Sequence, residues 1–312
     1  MHNEIPIFLA CDDNYIPFLG TALHTLIKNA NKDYHYRAII LSNGIKDENK
    51  ARIKAQETSN LTIEFFNITK MISKYVDKLS FRLRDYYSVA IYYRMFIPTL
   101  FPQYKKAIYL DADLILVGDI SELYHTNIEG KLVAAINDRL VLDVPTFAQY
   151  ANEAVGVQAH EYFNSGVLVM NLDKFRQDDI KGQFLHLLET YNFDSVCPDQ
   201  DYLNGLCRND KVLLPIGWNK MPLPDPEFDY TTLKLLHYNS FEKPWHHDHV
   251  LFSDEFWQAA KTSPFYNDLL KIRASVDEEH RTKEAKGVAA LFAKATKIAN
   301  EEEVTFKRIL AL

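Results

Sequence analysis

Lys106-Ala-Ile-Tyr-Leu110 runs into Asp111-Ala-Asp113 and continues as Leu114-Ile-Leu-Val117, so two carboxylates interrupt an otherwise apolar stretch. The stretch follows Pro98 and Pro102, which close a preceding helical pattern over Tyr87 to Phe96, and it reads as a strand. In extended backbone, residues two apart project to the same side, so Asp111 and Asp113 converge. Neighbouring carboxylates in a poorly solvated place repel, and ionising both is costly unless a cation or hydrogen-bond donors compensate. Oxygen-rich sets suit magnesium or manganese, and in α/β sheets ligands gather beyond the carboxyl ends of strands, where this pair would lie. The competing reading is a turn in which one aspartate caps and the other is merely exposed, and Asp-x-Asp alone does not separate the two.

On the N-terminal side, short apolar strands at Ile5 to Ala10, Arg37 to Leu41 and Leu61 to Phe66 alternate with helical stretches at Phe18 to Lys28 and Asp47 to Glu57. That alternation predicts an α/β fold with a parallel sheet and covering helices. Further strands are expected at Lys131 to Ile136 and Tyr162 to Leu172, the latter carrying Asn164-Ser-Gly166, where the glycine suggests close backbone approach. Asp173 to Tyr191 reads as one helix, and Pro198-Asp-Gln-Asp201 as the opening of another. Pro215 to Pro226 and Leu140 to Glu161 read as loops near a site, and a strand ends at His237.

After Trp245 the pattern becomes helical, over Phe252 to Thr262, Pro264 to Ser275 and Gly287 onward, with Val288, Leu291, Phe292, Ala295 and Ile298 on one face. Core packing or self-association is the plain expectation for that face. A membrane-surface helix is the alternative, but Arg273 to Leu312 holds eight basic and seven acidic residues, too balanced for strong attraction to anionic lipid.

Hydrophobic residues make up 47% of the 312, enough for a sizeable core, and 35 basic against 42 acidic residues give a net charge of -7. Without a dense Lys/Arg cluster, a nucleic-acid partner is disfavoured. Cys11, Cys197 and Cys207 show neither disulfide nor metal spacing and read as ordinary thiols in a reducing compartment. The opening MHNEIPIFLACDDNY lacks a basic leader and reads as a strand, and no apolar run reaches bilayer length. The cytoplasm is the expected location, with peripheral contact at the inner face of the membrane left open.

Two more segments bear on the acid pair. Leu235-Leu-His237 ends a strand with an imidazole and Lys243 follows six residues on. Imidazole is a good ligand for manganese-class metals, and a lysine offers a compact charge for a diphosphate, although a lone strand-end histidine is more often only hydrogen-bonded. At Ala10-Cys-Asp12-Asp-Asn14-Tyr15, after the first strand, Asp12 could accept from a nucleotide base, but capping of the following helix is the favoured reading of this segment alone.

Five segments in order resemble glycosyltransferase family 8, which includes bacterial lipopolysaccharide hexosyltransferases and glycogenin: FLACDDNY from Phe8, YYRM from Tyr92, YLDADLIL from Tyr109, YFNSGVLVMNL from Tyr162 with PDQDYLN from Pro198, and LLHYNSFEKPW from Leu235. The resemblance implies a single Rossmann-like nucleotide-sugar-binding domain of GT-A type over residues 1–250, with a mixed central sheet, and an α-helical C-terminal extension over 251–312. It implies that Asp111, Asp113 and His237 bind Mn2+ or Mg2+, that Lys243 contacts the diphosphate, and that Ala10, Asp12 and Asn14 hold uridine. Arg94, Asp138, Asn164 and Asp199 would contact the donor sugar, with Gln200 near its anomeric carbon. The expected activity is metal-dependent transfer of glucose or galactose from a UDP-sugar to a glycan or lipid-linked saccharide, with retention of configuration. Ser240 departs from the glycine usual at that place.

Retention by double displacement needs a nucleophile beneath the anomeric carbon, and glutamine is a poor one. A front-face path is preferred, with Asp201 the runner-up nucleophile. The rival functions are a sugar nucleotidyltransferase, which lacks the expected glycine-rich basic phosphate loop, and a nucleotide-sugar-binding module that has lost catalysis. Acceptor and oligomeric state are not legible.

Overall fold

A computed structural model describes residues 3–73, 89–239 and 243–311. Among these are nine strands: β1 (Glu4–Ala10), β2 (His35–Ser42), β3 (Leu61–Asn67), β4 (Lys106–Leu110), β5 (Leu114–Leu116), β6 (Val133–Asn137), β7 (Phe163–Asn171), β8 (Lys211–Leu213) and β9 (Leu235–His237). The chain forms two compact units, each discontinuous in sequence: Met1–Asn67 with Ile108–Thr126 and Pro215–Gly287, and Ile68–Ala107 with Asn127–Leu214 and Val288–Leu312.

In the first unit the strands lie in the order β3-β2-β1-β4, and every pairing is parallel. Ile5 to Leu9 of β1 are all buried, the near-continuous apolar run that a parallel strand covered on both faces requires. The Ile16–Asn29 helix joins β1 to β2, with Pro17 in its first turn, where a missing N–H costs nothing. A separate ribbon pairs β5 antiparallel with β9, setting Leu114 opposite His237.

That ribbon shares one apolar cluster with the helices Ser253–Thr262 and Tyr266–Ala274, through Phe18, Ile115, Leu236, Trp245, Phe256 and Leu269. Close approach is enforced at Gly20, where a Cβ would stand 2.1 Å from the Phe265 ring. These helices lie where the helical extension was expected, and they are built into the same core as the acid-bearing ribbon.

In the second unit β6 runs antiparallel to β7 and parallel to β8. The fold is therefore α/β with a mixed sheet and C-terminal helices, whereas alternation alone predicted a parallel sheet. Alternation reports which segments are strands, but not which way a neighbour runs. The register slips between Ala135 and Ile136, which pair with Leu168 and Asn164, so β7 bulges across Ser165-Gly-Val167.

Three local expectations are corrected. Asp173 to Tyr191 is two helices, Leu172–Gln177 and Ile180–Thr190, because Asp179 adopts φ 47° and caps the second through the Gly182 amide. Leu140 to Glu161 is largely helical (Arg139–Asp143, Pro145–Tyr150, and the π turn Ala151–Val155), started by the Asp138 cap and by Pro145 at a first helical position. Within Tyr87 to Phe96, residues 87 and 88 lie outside the described residues, and Val89–Phe96 is 3-10 helix. Ser240 also lies outside them. Of the apolar face expected on the C-terminal helix Glu278–Glu301, Leu291, Ala295 and Ile298 are buried, whereas Val288 is half-buried and Phe292 is exposed.

Candidate functional site

At the end of β4 the chain passes through Asp111-Ala-Asp113 into β5, and the antiparallel β9 delivers His237 beside the two acids. His237 Nε2 lies 3.2 Å from Asp113 Oδ1 and 3.7 Å from Asp111 Oδ2. One ligand atom from each residue falls within 4.8 Å of the others. Register does this work, because Tyr238 donates its N–H to the Asp113 carbonyl at 3.0 Å and locks the two segments side by side.

The imidazole is held from behind. His237 Nδ1 is 2.9 Å from Asn219 Oδ1, and both residues are fully buried. An amide oxygen accepts only, so this contact puts the ring proton on Nδ1 and turns the Nε2 lone pair toward the acids, the form a metal ligand needs. Tyr109 donates its hydroxyl to Asp111 Oδ1 at 3.0 Å. Two carboxylates, one of them supported by a hydroxyl, and an oriented imidazole fit a manganese- or magnesium-class ion.

Lys243 Nζ lies 2.6 Å from Asp113 Oδ2 and also donates to the Tyr238 carbonyl. Burial opposes ionisation of Asp113, yet the Lys243 ammonium beside it holds its carboxyl well below the usual carboxylate range. At the other named position in this unit, Asp12 Oδ1 accepts from the Asn14 and Tyr15 amides at 2.9 and 3.2 Å. It caps the 3-10 turn Asp13–Tyr15, with Ala10 at the end of β1 and Asn14 exposed.

The second unit gathers the other candidates into a buried polar network. Gln200 Oε1 accepts the Ser165 amide at 2.9 Å, and Gln200 Nε2 donates to Asp138 Oδ2 at 3.0 Å. Since a backbone N–H must face an oxygen, the Ser165 contact fixes which way the carboxamide points. Asn164 Nδ2 donates to Asp138 Oδ2 at 3.0 Å and to Gln200 Oε1 at 3.2 Å. Asp138 Oδ1 meanwhile accepts the Leu140 and Val141 amides. Arg94 Nε stands 3.3 Å from Asp199 Oδ2, which also accepts from Ser165 Oγ at 3.0 Å. The β7 bulge is what frees Asn164 and Ser165 to face the first turn of the Pro198–Cys207 helix.

Asp201, one residue beyond Gln200, belongs to a different set. Its oxygens accept from Tyr150 Oη at 2.6 Å, Tyr162 Oη at 2.5 Å, Ser195 Oγ and the Cys197 amide at 3.2 Å. Burial pushes its carboxyl up despite those donors.

Asn219, Ser165, Tyr109 and the hydroxyls around Asp201 were not singled out by sequence. Asn219 lies in the proline-rich Pro215 to Pro226 segment, whose composition marks a loop without marking a residue.

A family model described as glycosyl transferase family 8 matches residues 6–249. A relative from Haemophilus influenzae is 28% identical over 229 residues, 69% of this chain and 63% of the relative, so the match spans less than two thirds of that relative's length. The lipopolysaccharide 1,2-glucosyltransferase of Escherichia coli K12 is 27% identical over 285 residues, 86% of this chain and 80% of the enzyme. The galactosyltransferase LgtC, solved with donor and acceptor sugar analogues, superposes with a TM-score of 0.69 at 25% identity, covering 89% of this chain and 100% of that one. The shared fold is of GT-A type.

Proposed function

We propose, from the premise that this chain belongs to glycosyltransferase family 8, that it is a retaining hexosyltransferase moving glucose or galactose from a UDP-sugar to a glycan or lipopolysaccharide-type acceptor. The observation carrying this reading is the convergence of Asp111, Asp113 and His237, with Asn219 holding the imidazole in its ligand form. Mn2+ or Mg2+ bound by the triad would supply Lewis-acid neutralisation of charge on the departing diphosphate. Lys243 adds a second cation to that duty. We assign uridine to Ala10, Asp12 and Asn14, and the donor sugar to Arg94, Asp138, Asn164 and Asp199.

The proposed step is front-face. The anomeric carbon–oxygen bond to the diphosphate breaks, the acceptor hydroxyl oxygen bonds to the same face, and its proton passes to the departing phosphate oxygen. Gln200 presents a preorganised dipole to the oxocarbenium-like transition state, fixed by Ser165 and Asp138. Asp201 acts as an internal brace, because four donors already occupy its carboxylate. Residues 1–250 form the proposed catalytic domain and 251–312 its helical extension. The cytoplasm is the proposed location. Among the described residues no helix is long and apolar enough to cross a membrane.

Incubation with manganese and UDP-hexoses tests the proposal through release of uridine diphosphate. Pyrophosphate released in a parallel incubation with a nucleoside triphosphate and a hexose 1-phosphate would replace it with a nucleotidyltransferase, and tight donor binding without release would replace it with a binding module.

A further inference from the structure

The first unit carries a second group of ligating side chains. His246 and His247 follow Trp245, while His280 and Glu284 lie four residues apart on the Glu278–Glu301 helix and so share one face of it. Asp277 caps the turn that presents His280, accepting the His280 amide at 2.8 Å. His280 Nε2 is 3.4 Å from His246 Nδ1, and His246 Nδ1 is 3.8 Å from Glu284 Oε1. One ligand atom each from His246, His280 and Glu284 lies within 4.8 Å of the others.

A tetrahedral ion with bonds of about 2.0–2.1 Å has ligand–ligand edges of roughly 3.3–3.4 Å. Two of the three observed edges are within a few tenths of an ångström of that geometry. Two ring nitrogens meeting at 3.4 Å also require one of them to offer a lone pair, the state in which imidazole ligates. The other Glu284 oxygen is engaged by His247 Nε2 at 2.6 Å, which fixes the plane of the carboxylate as a partner behind a metal ligand does. His280 is exposed and the other two are half-buried, so an ion can enter from solvent. Two imidazoles with one carboxylate favour zinc over magnesium or manganese, which prefer oxygen.

We propose that His246, His280 and Glu284 bind a zinc ion distinct from the metal of the Asp111–Asp113–His237 triad, with His247 orienting Glu284 and water completing the shell. Zinc there ties the segment after Trp245 to the C-terminal helix, and because Trp245 is anchored in the apolar cluster, the clamp stiffens the stretch that begins at Lys243. The proposal stands on these four side chains and does not depend on the transferase reading.

The test is equilibrium dialysis of the full chain against zinc chloride after chelation, for the wild type, His280→Ala, Glu284→Gln and Asp113→Ala. The wild type should retain one zinc more per chain than His280→Ala or Glu284→Gln, and Asp113→Ala should keep that ion. Equal zinc in the wild type and both helix variants overturns the proposal. Wild-type crystals grown with zinc give an answer independent of any variant's folding. An anomalous peak among His246, His280 and Glu284 supports the site, and its absence there, with or without a peak at the triad, overturns it.

Discussion

Asn219 Oδ1 sits 2.9 Å behind His237 Nδ1, so a residue from an irregular loop determines which nitrogen of a strand-end imidazole faces Asp111 and Asp113. Asn219→Ala leaves all three proposed ligands in place but lets the ring turn and tautomerise. Manganese affinity, read by titration in the presence of uridine diphosphate, should fall about 10–100-fold. Unchanged affinity would remove Asn219 from the site.

His237→Ala and Asp113→Ala should each abolish metal-dependent donor binding while leaving the far-ultraviolet circular dichroism spectrum close to wild type. Retention of manganese affinity in both variants would contradict the triad. Chelation of the wild type should likewise stop transfer, and added manganese should restore it.

Gln200 is joined to Ser165 and Asp138 within the second unit's network. Gln200→Ala should lower kcat about 10²–10³-fold, the usual loss for one preorganised dipole aimed at developing charge. Manganese affinity should not move, and a kcat near wild type would exclude Gln200 from the reaction.

Asp201 separates the two retaining mechanisms and also makes a pH prediction. Asp201→Asn should keep transfer within about tenfold of wild type, because a covalent route through this residue would lose several orders of magnitude. Burial raises its folded-state pKa above the unfolded value near 3.9, so its stabilising contribution is complete below about pH 4 and declines as pH rises through the folded pKa. Thermal midpoints of wild type and Asp201→Asn, followed upward from about pH 4, should show the wild type losing ground to the variant. Parallel curves would show that no such shift exists.

Gly20 tests how firmly the C-terminal helices are built into the first unit. Gly20→Ala gains helix propensity of about 1 kcal/mol but drives a methyl into the Phe265 ring, and overpacking of this kind costs roughly 1–3 kcal/mol. The thermal midpoint should fall. A rise would mean that Phe265 moves aside freely.

The α/β class and the positions of β1 to β4, β6, β7 and β9 were legible in the chain, because apolar runs bounded by breakers are local signals. The ordered motifs carried the family. Packing of distant segments was needed to show that β6 and β7 run antiparallel, that Asp179 divides one helical pattern into two, and that Asp201 turns away from Gln200 into a nest of hydroxyls. Strand direction, cap geometry and the partners of a buried polar group depend on residues distant in the chain. Asn219 and Ser165 were illegible for the same reason, since a loop asparagine or a strand serine acquires its role only when register brings His237 or Gln200 against it.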